Sequence, residues 1–136
     1  VQPAISYITL GVDDLEKAVA FYQDILGFPT DGIVGEQYDY GAVAFFKMAN
    51  GLTFALWERA SIAHDCGVER GPRDQTAVML AHNVGSRQAV DEVISSLPEK
   101  AVVKHGRELA WGGYGGVFAD PDGHLWEVVY NPKYDG

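Results

Sequence analysis

Apolar and polar residues alternate from Ile5 to Val12. Ile5, Tyr7, Thr9 and Gly11 point one way and Ser6, Ile8, Leu10 and Val12 the other, which predicts a strand. The period then lengthens. Leu15, Ala18, Val19, Tyr22, Ile25 and Leu26 fall on one face of a helix. Asp13 with Glu16 reads as a capping box at its start, and Gly27 as a left-handed end. Three strands follow: a short one near Gly32–Gly35, then Ala42–Met48 and Leu52–Glu58. Asn50-Gly51 supplies the hairpin turn between the last two, and Phe45-Phe46 alternate between surface and core. Arg59 to Thr76 lacks periodicity and reads as a long connection. It is either a lid, with Arg59 and His64 as polar contacts, or a solvated link.

The same order returns. Gln75 to Val84 is a strand, and Ser86 is placed to cap a short helix with Ala89, Val90, Val93 and Leu97 on its apolar face, closed by Pro98. Val102–Lys104 and Val117–Ala119 are brief strands. Asp120-Pro121-Asp122-Gly123 is a tight turn feeding the final strand, Leu125–Tyr130, which Asn131-Pro132 stops. Glu127 is the one acid in that strand. Buried alone it would be costly, so it faces solvent, is paired, or serves a ligand.

The halves are in register. Val12 and Val84 stand 72 residues apart, as do Gly51 and Gly123, while Ala18-Val19 and Ala89-Val90 stand 71 apart. The chain is therefore a duplicated βαβββ unit of α+β class. One domain spans 1–136: a first module over about 5–58, a connection over 59–74 and a second module over about 75–132. Packed side by side, two such units make one cupped mixed sheet with helices outside, and the hollow is the natural ligand site.

Composition narrows the partners. The net charge is −9 and no basic stripe interrupts it, which argues against nucleic acid and anionic membranes. Cys66 is the only cysteine, so an intrachain disulfide is excluded; Asp65 beside it disfavours a reactive thiolate. Neither a secretory leader nor a spanning segment is seen in the sequence, and a cytoplasmic setting is expected.

Two stretches resemble the vicinal oxygen chelate superfamily of glyoxalases, bleomycin-resistance proteins and extradiol dioxygenases. They are Ile8-Thr9-Leu10-Gly11-Val12-Asp13-Asp14-Leu15, with Phe21-Tyr22 and Leu26-Gly27-Phe28, and Phe118-Ala119-Asp120-Pro121-Asp122-Gly123-His124-Leu125-Trp126-Glu127. The resemblance implies four cup-facing positions that hold metal in the family's metal enzymes. Carried onto this chain they are Tyr7, Ala55, Met79 and Glu127. Glu127 alone is a usual ligand, and a catalytic divalent ion typically needs three protein donors. His82 and His124 stand three residues from Met79 and Glu127 and so face away; His64 and His105 lie in connections. The expectation is thus a small-molecule binding protein without a catalytic metal or other cofactor. Its ligand-binding residues would be Tyr7, Ala55, Met79, Trp111, Tyr114 and Glu127. Glu127 is also a candidate general base. The alternative is a metal-dependent lyase, isomerase or dioxygenase.

In Trp111-Gly112-Gly113-Tyr114-Gly115, two aromatics either clamp a flat ligand or pack at a glycine-rich strand entry. The glycines do not match a nucleotide-binding fingerprint. Trp57 and Trp126 are expected to pack beneath the helices. A homodimer is left open.

Overall fold

A computed structural model describes residues 1–133. The chain divides into two compact units, Val1–Pro72 and Arg73–Gly136. Each contains a four-stranded mixed sheet.

In the first unit the strands are β1 (Tyr7–Val12), β2 (Thr30–Val34), β3 (Val43–Lys47) and β4 (Thr53–Glu58), in the order β1-β4-β3-β2. β1 runs parallel to β4 and the other pairs are antiparallel. Helix α1 (Leu15–Ala20) begins one residue later than expected: Asp14, not Asp13, is the cap, and its carboxylate accepts from the Lys17 N–H at 3.1 Å. The helix continues as a wider π-turn over Phe21–Ile25, and Gly27 then takes a φ of +75°. Leu10, Val12, Phe46, Phe54 and Leu56 are buried together with Leu15, Ala18 and Tyr22. Tyr22 is the hub: its ring centroid lies 4.9 Å from that of Phe54, 5.9 Å from Phe28 and 6.2 Å from Phe46.

The expected structureless connection is partly wrong. Arg59–Cys66 forms helix α2, ended by Gly67 in the left-handed region. Its weak amphipathicity hid it from a periodicity reading. It packs against the sheet face opposite α1, over Gly11. A Cβ there would lie 2.9 Å from Arg59 Cγ and 3.3 Å from Ile62 Cδ1, so only glycine fits beneath it.

The second unit repeats the plan with β5 (Met79–Asn83), α3 (Arg87–Ser95), β6 (Val102–Glu108), β7 (Tyr114–Ala119) and β8 (Leu125–Tyr130), in the order β5-β8-β7-β6. Ser86 caps α3, its Oγ accepting from the Ala89 N–H at 3.0 Å. Val90, Ile94, Leu97, Phe118, Trp126 and Val128 are buried on the α3 side. A Cβ at Gly116 would lie 2.8 Å from Ile94 Cγ1, which marks that face as the one α3 covers. Trp126 lies there as expected, stacked on Phe118 at 5.8 Å. The turn before β8 is built by Asp120, buried and accepting from the Asp122 and His124 N–H groups at 3.0 and 2.9 Å. Arg73 pairs with Asp122 at 3.1 Å, and Gln75 donates to the Gly123 carbonyl at 3.0 Å. The Asp-Pro-Asp-Gly stretch therefore does structural work. Among the described residues no helix is long and apolar enough to cross a membrane.

Candidate functional site

Strand pairing fixes which side chains share a face. In β8, Glu127 pairs with Ala81 of β5 and Val117 of β7. Its face is the one opposite α3, together with Met79, Leu125 and Val129. Glu127 is partly buried, and its carboxylate has no hydrogen bond or ion pair among the described residues. It is a lone acid on an apolar floor, since Val117 and Val129 beside it are buried. Met79 lies diagonally across from it, half exposed.

In the first sheet Tyr7 and Ala55 likewise share a face, the one opposite α1. Tyr7 is 60% exposed and meets the Phe45 ring edge-on at 6.3 Å. Ala55, between Thr9 and Phe45, is buried.

Trp57 corrects the sequence reading. It stands two residues from Ala55 and so shares its face, paired with Gly11 and Val43, rather than lying under α1. Its indole N–H donates to the Tyr40 carbonyl at 2.9 Å. Tyr40, held at a φ of +59°, stacks on His64 of α2 at 3.8 Å. His64 therefore contributes a ring to this cluster.

Tyr114 and Glu127 are not brought together. Tyr114 pairs with Tyr130 and faces α3, where its hydroxyl donates to Asp91 at 2.7 Å. Trp111, half exposed in the β6–β7 turn, lays its ring against Gly113, where no Cβ would fit. The Tyr114 phenol pKa is raised, first by the hydrogen bond to Asp91, then by desolvation and the Asp91 charge. A raised folded value means that the neutral phenol's contribution to stability is fully present below the ordinary tyrosine pKa. It is lost as pH rises through the folded value. Ultraviolet titration should therefore show Tyr114 ionising late, and Asp91→Asn should move that part of the absorbance change to lower pH.

Sequence reasoning missed the cations on the Glu127 face. β6 is longer than the brief strand expected, because two register shifts interrupt its alternation. Lys104 pairs with Val117 and Arg107 with Gly115. Three steps along β6 match two along β7, so an extra residue is accommodated and both cations face the Glu127 side. Strict alternation would have put them on opposite faces. Gly106, between them, was the available signal, since a glycine inside a strand often marks a bulge. Arg107 donates to the Gly115 carbonyl at 3.0 Å; its other N–H groups, and the Lys104 ammonium, have no partner among the described residues.

The four positions that the resemblance singles out differ in what they offer a divalent ion. Ala55 offers no donor, Met79 only a thioether, and Tyr7 a phenol; Glu127 is the one hard ligand. No cluster of three or more His, Cys, Asp or Glu suited to a metal ion occurs among the described residues.

Two βαβββ modules, each a four-stranded mixed sheet with a helix after its first strand, define the glyoxalase-like fold. The chain belongs to the Glyoxalase/Bleomycin resistance protein/Dioxygenase superfamily, whose family model matches residues 4–128. It is similar to a glyoxalase-related enzyme from Fulvimarina pelagi, at 30% identity and a TM-score of 0.79 over 96% of this chain and 89% of that one. The fosfomycin resistance protein FosX from Listeria monocytogenes is 26% identical, with a TM-score of 0.69 over 96% of this chain and 95% of that one. A lactoylglutathione lyase from Agrobacterium tumefaciens shares the fold at 23% identity, with a TM-score of 0.70 and 98% of each chain covered. No match to a curated protein was found.

Proposed function

We propose that the protein binds a small organic molecule on the face of its second sheet opposite α3, with Glu127 as the main polar anchor and without a catalytic metal. One observation carries the reading: the Glu127 carboxylate is partly buried between Ala81 and Val117, with no partner of its own among the described residues. A partly desolvated acid gains most from a ligand that brings a hydrogen-bond donor or a positive charge. Met79 and Leu125, which keep exposed surface on the same face, would take that ligand's apolar body.

A thermal-shift screen of small molecules on the wild type and on Glu127→Gln tests this. A ligand at a hundred times its Kd stabilises by about 2.7 kcal/mol, enough to raise Tm by several degrees. Hits should stabilise the wild type and lose most of that effect in the variant. Zinc, nickel, iron and manganese should be measured on the same purified protein. Near-stoichiometric metal that is lost in Glu127→Ala would overturn the reading in favour of a metal-dependent lyase, isomerase or dioxygenase.

A further inference from the structure

We infer that the Glu127 face selects a zwitterion: a molecule with an ammonium or other donor at one end, an anionic group at the other and an apolar body between. This rests on the ligand-binding reading above and specifies the ligand's chemistry. Glu127 on β8 and Lys104 on the edge strand β6 lie in one cross-strand row, with Val117 of β7 between them. Arg107 lies on the same face, in the row of Gly115 and Val129. Two strand spacings separate β6 from β8, about 10 Å between backbones. No ion pair joins the acid to either base. Opposite charges that share a face yet stay apart across an apolar strip match a ligand whose own charges are set apart by an apolar spacer.

Two features set the cations in place. The bulge in β6 turns Lys104 and Arg107 to the same side, and bulges characteristically re-aim side chains in this way. The Arg107–Gly115 hydrogen bond then steadies the guanidinium over the sheet, while its unused N–H groups keep the planar fork that suits a carboxylate or phosphonate.

Isothermal titration with three probes tests the inference: para-(aminomethyl)benzoate, which carries both charges, benzylamine, which carries only the cation, and para-toluate, which carries only the anion. The wild type should bind the first at least about tenfold more tightly than either half. Glu127→Gln should reduce its affinity to about that of para-toluate, and Arg107→Gln to about that of benzylamine, with Lys104→Gln giving a smaller loss. Circular dichroism and melting of each variant confirm that the fold is retained. If benzylamine binds as well as the zwitterion and Arg107→Gln changes nothing, the inference is wrong while the ligand-binding reading stands. If none of the three probes binds, the inference is also wrong. The underlying reading falls only if the broader thermal-shift screen is blank too.

Discussion

Phe54→Ala is expected to lower the stability of the first unit by about 3–5 kcal/mol, the range for removing a buried aromatic ring. Phe54 is 1% exposed, and its ring lies 4.9 Å from Tyr22, 5.7 Å from Phe46 and 6.2 Å from Phe28. Truncation leaves a cavity that these three rings cannot close together. Tm should fall by more than about 10 °C. Phe45 is the control. It pairs with Ala55 on the opposite face and is 43% exposed, so Phe45→Ala should cost far less. Thermal unfolding of the two variants reads the face assignment directly. Equal losses would mean that the faces of the first sheet have been assigned wrongly.

Gly106→Ala should destabilise the second unit by about 1–3 kcal/mol. A Cβ at that position would meet the Tyr114 ring and hydroxyl and the Asp91 carboxylate. The Tyr114 and Asp91 side chains must then shift, which disturbs their hydrogen bond. Urea unfolding should show a lower midpoint with little change in slope. Tyr114 should ionise nearer its ordinary value, because the bond to Asp91 is the first cause of its shift. An unchanged midpoint together with an unchanged titration would remove Gly106 from its role at the bulge.

Much of this molecule is legible from its sequence. The duplicated register, the hairpin at Asn50-Gly51, the cap at Ser86 and the turn at Asp120–Gly123 all rest on local chemistry, which a one-dimensional reading sees. So does the shared face of Met79 and Glu127, because regular strands alternate. The failures have physical causes. Helix α2 carries no clear apolar stripe, since it is short and buries Ser61. The expectation for Trp57 failed on strand parity, since two residues from Ala55 means the same face. Lys104 and Arg107 escaped notice because a bulge breaks the alternation that parity arguments assume. For Tyr114 the sequence leaves a ligand clamp and a packing role open, and its hydroxyl is committed to Asp91 across the sheet from Glu127. That long-range pair leaves no mark in the local sequence.

Amide chemical-shift mapping on isotope-labelled protein, titrated with any compound that stabilises it, bears most directly on ligand capture at Glu127. The largest perturbations should fall at Ala81, Val117 and Glu127, and Glu127→Gln should erase them while leaving the rest of the spectrum in place. Perturbations centred on α3, or undiminished in the variant, would contradict the account.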